Sequence, residues 1–340
     1  MATKQLKMGV VGATGMVGTE FIKILQDRQI PISELRLFAS EKSSGKTLKY
    51  RGKDIALQAL KDGCFVGLDA VFFSAGGPIS KIWAPKAVAE GAYAIDNSSV
   101  FRMHDEIDLV VPEVNGDLLK KYKTPKLIAN PNCSTIQLML ALAPLQKKFG
   151  LRSVKVATYQ SVSGAGIEAV DELKNQTRAY LQNEEVKPQI FSESIAFNNL
   201  PLIGDLETSG YTNEEEKLIK ETNKILRQDN LRLSSFCVRT STVNGHSEAV
   251  WVELDKKIEK EDFIKCLKSA PGLVVHDGVT SQFTTNRNAD GKDPVYIGRI
   301  HRDFYDANTW LFWCVSDNIR KGAALNGIQI AEMIFDISQH

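Results

Sequence analysis

Several protein classes are excluded by what the sequence does not contain. No apolar run approaches the roughly 20 residues of a membrane-crossing helix, and there is no internal repeat or low-complexity tract. Charge of one sign is also missing: 42 Lys and Arg stand against 41 Asp and Glu, a net +1. Nucleic acid and anionic membrane are therefore not expected partners, and an anionic ligand must be held by local groups. Cysteine is sparse. Cys64, Cys133, Cys237, Cys266 and Cys314 are scattered, odd in number and never in a C-x-x-C pair. That excludes a disulfide framework and a structural zinc site, and it fits a reducing, cytoplasmic compartment. Met1 to Lys4 lead straight into a strand with no signal-peptide apolar segment. What is present is the balance of a soluble globular protein, with 43% hydrophobic and 24% charged residues over 340 positions. That length implies two domains.

The apolar pattern divides the chain. Residues 6–12, 35–39, 70–75, 93–96, 109–111 and 126–129 read as short strands, and 17–26 and 79–91 as helices. The run Ala-Val-Phe-Phe-Ser-Ala at 70–75 is unbroken, as in a sheet covered on both faces. This alternation predicts an α/β, Rossmann-type doubly wound parallel sheet. The pattern then changes. A helix at 134–149, capped by Gly150, precedes alternating strands at 153–159 and 249–254. Helices near 167–182 and at 214–227 flank a loop at 188–212 rich in Pro and Asn. These features predict a second α+β domain with longer antiparallel strands. An amphipathic helix at 322–337 is expected to pack back on the first domain. The expected division is 1–130 plus 318–340 for nucleotide binding, and 131–317 for catalysis and dimerisation.

The first strand runs into Gly9-Val-Val-Gly12-Ala-Thr-Gly15-Met-Val-Gly18. Glycines that free the backbone, followed by a helix N-terminus with unpaired N–H groups, suit a pyrophosphate. Gly12, Thr14, Gly15, Met16 and Val17 are the expected contacts. The second strand ends in Ser40-Glu-Lys42-Ser43 rather than on a ribose-binding acid. Hydroxyls and lysine there suit a 2′-phosphate, so NADP is the expected cofactor, with Glu41 as the dissenting residue.

Cys133 follows Asn130-Pro131-Asn132, and Pro131 keeps Asn130 out of a helix. A thiol at a helix start has its thiolate favoured, and the thiolate is the nucleophile in acyl transfer. Its alternative is an inert buried cysteine, the expectation for the other four. His246, in Gly245-His-Ser-Glu248, is the candidate proton-handling imidazole. His104, His276, His301 and His340 lie in less suggestive settings.

The combination resembles the aspartate-semialdehyde dehydrogenases. The resemblance rests on Gly12-Ala-Thr-Gly-Met-Val-Gly18, Ser74-Ala-Gly-Gly77, Asp96-Asn-Ser-Ser-Val-Phe-Arg102, Asn130-Pro-Asn-Cys-Ser-Thr-Ile-Gln137, Tyr159-Gln-Ser-Val-Ser-Gly-Ala-Gly166, Gly210-Tyr-Thr-Asn-Glu-Glu-Glu-Lys217 and Gly245-His-Ser-Glu248. Shorter matches at 111–115 and 195–198 complete it, in the family's order. It implies an NADP-dependent phosphorylating aldehyde dehydrogenase that interconverts L-aspartyl-4-phosphate and L-aspartate-4-semialdehyde through a cysteine thioester, with release of inorganic phosphate. It also implies service in lysine, methionine, threonine and isoleucine biosynthesis, and a homodimer. By the same resemblance Cys133 is the nucleophile, His246 the acid/base, and Gln160 orients the acyl group. Arg239 binds the α-carboxylate and Glu214 faces the amino group. Arg102, Lys217 and Asn132 hold phosphate, and Ser163, Gly164 and Asn318 touch the nicotinamide end. Lys42, Ser241 and Glu216 stand where the family often has Arg, Pro and Met. Rival readings are N-acetyl-gamma-glutamyl-phosphate reductase, which more often has Gly before its cysteine, and a non-catalytic NADP-binding sensor.

Overall fold

Leu6, Met8, Val10 and Val11 are buried, so the first apolar run lies between two layers, as strand β1 (Leu6–Val11). The structure, a computed structural model, describes residues 5–229, 231–276 and 282–337; Met1 to Lys4 and His340 fall outside the described residues. The chain divides into two units, one made of residues 1–132 and 323–340 and the other of 133–322.

In the first unit β1 is followed by α1 (Met16–Asp27), β2 (Ile32–Phe38), β3 (Thr47–Tyr50), β4 (Lys53–Gln58), β5 (Ala70–Phe73), α2 (Gly77–Ala89), β6 (Tyr93–Asp96), α3 (Pro112–Asn115) and β7 (Leu127–Ala129). The sheet order is β3-β4-β2-β1-β5-β6-β7, parallel throughout except for β3 against β4. One face packs Met8, Val10 and Phe72 against Phe21 and Leu25 of α1, with the Phe21 and Phe72 rings stacked 4.1 Å apart. The other buries Val11, Val71 and Phe73 with Phe65, Ala84 and Ala87. This is the doubly wound sheet that the apolar runs predict.

Two segments differ from the sequence reading. The hairpin of β3 and β4 carries little apolar signal. It closes at Arg51 and Gly52, both with positive φ, as tight hairpins require. Residues 109–111 form no strand, only a single bridge from Leu109 to Ala129. The Asn115 side chain takes the backbone groups a strand would use: its Oδ1 accepts from the Val111 N–H and its Nδ2 donates to the Leu109 carbonyl.

The second unit runs α4 (Cys133–Phe149), β8 (Leu151–Gln160), α5 (Ile167–Leu181), β9 (Asn199–Leu200), α6 (Asn213–Leu226), β10 (Arg232–Thr240), β11 (His246–Leu254), α7 (Lys260–Lys268), β12 (Leu273–Val275), α8 (Asn286–Ala289), β13 (Val295–Arg302) and β14 (Thr309–Ser316). Its sheet order is β12-β13-β14-β11-β8-β10-β9. β11 is antiparallel to both neighbours, but β8 pairs with β10 in parallel, as β12 does with β13. The sheet is therefore mixed rather than antiparallel. The long excursion through α5 and α6 between β8 and β10 is what permits the parallel pairing. α4 lies on β11, β14 and β8, and Gly150 ends it with φ 78°.

The last helix, α9 (Leu325–Ile334), follows a π-helical turn at Arg320–Ala324. It belongs to the first unit, where Leu325, Ile328, Ile330 and Ala331 join the core of β1 and α1. Glu332 accepts two hydrogen bonds from Arg28, at 2.8 and 3.0 Å. The stretch is buried on nearly every side, not amphipathic as the sequence suggested. No described helix is long and apolar enough to cross a membrane.

Candidate active site

In the first unit the glycines after β1 divide their work. Gly12 has φ 83°, and a Cβ there would meet the Ser74 backbone at 2.8 Å. Gly18 passes so close to the Gly12 carbonyl that no side chain fits. These two shape the loop. Gly15 is exposed and caps α1, and a Cβ there would only touch the Gly12 carbonyl oxygen, at 3.4 Å. Among the described residues no side chain caps the α1 N-terminus by a hydrogen bond, and no acidic residue stands in its first turn, so its N–H groups and partial positive charge suit a pyrophosphate. Thr14 is exposed, and Met16 and Val17 are half-buried in that turn. Beyond β2, Ser40 and Lys42 are exposed and Ser43 is half-buried, around a short 3-10 turn.

The same unit carries Arg102 and Asn132, both buried. The Arg102 Nε donates to the Asn130 carbonyl and an Nη to that of Asn97, each at 2.9 Å. The Asn130 amide donates to Asn97 Oδ1 at 2.8 Å and accepts from Asn326 at 2.7 Å. A web of asparagines thus fixes both Arg102 and the chain leading into Cys133.

In the second unit three adjacent strands end together. Arg239 on β10 is in register with Gln160 on β8, and Ser247 on β11 with Tyr159, so Arg239, Gln160 and His246 share one edge. Cys133 is the first residue of α4 and is partly exposed, whereas the other four cysteines are buried. One turn on, Gln137 Oε1 accepts from the Ser316 hydroxyl at 2.6 Å. Ser316 lies directly across from His246, which sets the start of α4 at the same edge. Burial lowers the Arg239 guanidinium from its ordinary value, while Glu214 and Cys133 act to hold it up.

His246 is fully buried. Burial first, and then Arg239, push its pKa down to about 3, so the ring is neutral. Its Nδ1 accepts from the Ser161 N–H at 3.1 Å. A backbone N–H can only donate, so the ring proton sits on Nε2. Nε2 has no protein partner among the described residues. A Cβ on Gly164 would stand 3.1 Å from Nε2 and 3.0 Å from Arg239 Nη1, so only glycine leaves that approach open.

Asn318 and Ser163, expected at the nicotinamide end, are both buried and tied to protein. Asn318 Oδ1 accepts from Ser161 Oγ at 3.1 Å and from the Gly245 N–H at 2.8 Å, and its Nδ2 donates to Ser163 Oγ. They brace the segment that carries His246. Glu214 accepts from Gln160 Nε2 at 3.2 Å and from Lys217 Nζ at 3.1 Å. One carboxylate therefore joins the amide expected to orient the acyl group to the cation expected at the phosphate.

Sequence reasoning missed two supports. Ser161 serves His246 through its N–H and Arg239 through its carbonyl, at 2.7 Å. A Cβ on Gly322 would meet Cys133 Cβ at 2.9 Å. Neither residue type carries a chemical signal of its own.

The chain is similar to known proteins along nearly its whole length. Residues 7–122 match the family described as semialdehyde dehydrogenase, NAD binding domain, and 142–321 the semialdehyde dehydrogenase, dimerisation domain. An aspartate-semialdehyde dehydrogenase of Aquifex aeolicus is 46% identical over 331 residues, 96% of this chain and 97% of its own length. A crystal structure of aspartate semialdehyde dehydrogenase II from Vibrio cholerae, complexed with ASA, superposes with a TM-score of 0.95 at 40% identity, covering 98% of this chain and 99% of the other. The Candida albicans enzyme, solved with NADP, gives 0.76 at 25% identity over 97% and 98% of the two chains. With matches that run nearly from end to end and both domain families present in order, the protein belongs to the aspartate-semialdehyde dehydrogenase family.

Proposed function

We propose that the protein catalyses the reversible, NADPH-dependent conversion of L-aspartyl-4-phosphate to L-aspartate-4-semialdehyde and inorganic phosphate. The observation that carries this reading is the shared edge where Arg239, Gln160 and His246 meet the start of α4, with Cys133 partly open.

Cys133, at a helix start that favours its thiolate, attacks the C4 carbonyl carbon. A C–S bond forms, the bond from that carbon to the phosphate oxygen breaks, and phosphate leaves with the electron pair. Arg102, Asn132 and Lys217 hold the phosphate group. Arg239 grips the α-carboxylate with its planar fork, and Glu214 faces the substrate ammonium. Gln160 orients the acyl group. A dinucleotide held at the glycine loop would supply the hydride that reduces the thioester carbon. His246 offers its Nε2–H to the carbonyl oxygen as negative charge builds there, and collapse of that oxyanion returns the C–S electrons to Cys133. This narrows the expected acid/base role of His246: the neutral ring holds its proton at the oxygen and has no free nitrogen with which to take one from the thiol.

The exposed Gly15 and the uncovered end of α1 fit the pyrophosphate, with Thr14, Met16 and Val17 beside it. Ser40, Lys42 and Ser43 fit a 2′-phosphate, the basis for assigning NADP. Ser163, Gly164 and Asn318 line the nicotinamide end, Gly164 as the open approach and the other two as its frame. The second unit serves as the surface of a homodimer, as its family's description implies. The five cysteines form no disulfide among the described residues, which suits a reducing cytoplasm.

The test is phosphate-dependent reduction of NADP⁺ by the purified protein with aspartate semialdehyde. Turnover is expected in the wild type and absent in Cys133→Ala, which should still bind NADPH. Absence of phosphate-dependent turnover, or wild-type rates in the variant, would overturn the assignment.

A further inference from the structure

Glu248 lies two residues beyond His246 on the same inward face of β11 and is fully buried. Neither carboxyl oxygen has a hydrogen-bond partner among the described residues. Its neighbours across the sheet are Thr158 on β8 and Cys314 on β14. The titratable groups that face it are the thiols of Cys314 and of Cys237 on β10, both kept neutral by burial. Among the described residues no basic side chain shifts its carboxyl; from α4 it meets Gln137.

That glutamine is already oriented. Its Oε1 accepts from the Ser316 hydroxyl, so its NH₂ end is the part left for Glu248; that nitrogen, like both carboxyl oxygens, makes no close hydrogen bond among the described residues, and the two face each other as complementary buried groups. The three polar groups connect the elements that carry the reaction. Gln137 is one turn along α4 from Cys133, Ser316 is paired across from His246, and Glu248 shares the strand of His246. An unpaired carboxylate is costly in such a place, so the acid stays neutral and can both donate and accept. Burial raises its pKa to about 8.

We propose that Glu248 is a positioning residue that, through Gln137 and Ser316, holds the first turn of the Cys133 helix against the strand of His246. The proposal rests on Cys133 and His246 acting on one carbonyl, as in the function above. It predicts that activity depends on a proton at Glu248. In the wild type kcat falls along an alkaline limb near pH 8.

The experiment compares wild type, Glu248→Gln and Glu248→Leu from about pH 6 to about pH 10. Two quantities are read: kcat and KM with aspartate semialdehyde, phosphate and NADP⁺, and the rate at which iodoacetamide alkylates Cys133. Glu248→Gln, a neutral hydrogen-bonding mimic, should keep kcat within about 3-fold and lose the alkaline limb. Glu248→Leu should lose roughly 10- to 100-fold in kcat, the scale of a misplaced reacting group, with KM for NADP⁺ unchanged. The pH profile of Cys133 alkylation should shift in the leucine variant and not in the glutamine variant. A leucine variant equal to wild type in kcat and alkylation would overturn the proposal. So would an alkaline limb that persists in Glu248→Gln, a result that decides the matter even if the leucine variant does not fold. Alkylation needs no substrate, so a protein that fails to turn over aspartate semialdehyde but shows the alkylation shift would refute the assigned reaction and leave the tie standing.

Discussion

Replacing Glu248 by glutamine should stabilise the protein at neutral pH, and by an amount that grows with pH. The carboxyl is moved from its ordinary 4.5 to about 8 by burial, which corresponds to roughly 5 kcal/mol. The native state keeps this proton where the unfolded chain has released it. The native state is therefore penalised progressively as pH rises from 4.5, and the loss is complete near pH 8. At pH 7 the penalty is about 3 kcal/mol. Glutamine does not titrate, so the variant escapes it. His246 works in the opposite sense. Its pKa falls from 6.5 to about 3, so stability is present above 6.5 and is lost as pH falls toward 3. Between pH 4.5 and 6.5 the two slopes nearly cancel in the wild type. In Glu248→Gln the His246 slope stands alone, and stability should rise with pH across that window. The assay is the thermal midpoint of both proteins at a series of pH values. For a folding unit of this size about 3 kcal/mol is a shift of roughly 6–12 °C at pH 7, shrinking to the pH-independent difference near pH 4.5. A gap in Tm that stays constant from pH 4.5 to 8 would refute the reasoning.

The parts of the fold legible in the sequence are those where one signal dominates. β1, β5 and α4 are mostly apolar because they are largely buried, and the glycine loop shows itself by spacing. The candidate site residues rest on family likeness, and Cys133 also on its place after Pro131. What was hidden has particular causes. β10 turns Leu233, Ser235, Cys237 and Arg239 inward, so its buried face is half polar and no apolar alternation appears. The segment at 109–111 has the apolar content of a strand, but Asn115 satisfies its backbone instead. The segment 322–337 reads as amphipathic, yet its polar Asn326 and Glu332 are buried and paired, with Asn130 and with Arg28. Glu248 could have been found. His246, Glu248, Val250, Val252 and Leu254 alternate as one face of a strand, and an acid at an inward position beside a candidate imidazole is a signal that parity alone exposes.

Three further outcomes test the site piece by piece. Asn326→Ala removes hydrogen bonds to the Val110 carbonyl and to Asn130 Oδ1. It should destabilise by about 1–3 kcal/mol, read as a lower Tm. Arg239→Leu should raise KM for aspartate semialdehyde at least about 10-fold while NADPH binding is kept, because a bidentate charged contact is lost; an unchanged KM would remove Arg239 from the substrate site. Gly164→Ala is the sharpest of the three. The added methyl would lie 3.0 Å from Arg239 Nη1 and 3.1 Å from His246 Nε2, and neither group can retreat. Arg239 is held by the Ser161 carbonyl and His246 by the Ser161 N–H, and both side chains are buried. Gly164 itself is exposed with a φ that alanine tolerates, so folding should survive with Tm changed by no more than a few degrees. The methyl instead occupies the space in front of Nε2 where the reacting oxygen must sit. kcat should fall roughly 100-fold. A Gly164→Ala enzyme with normal kcat would mean that the carbonyl oxygen does not meet His246 at Nε2.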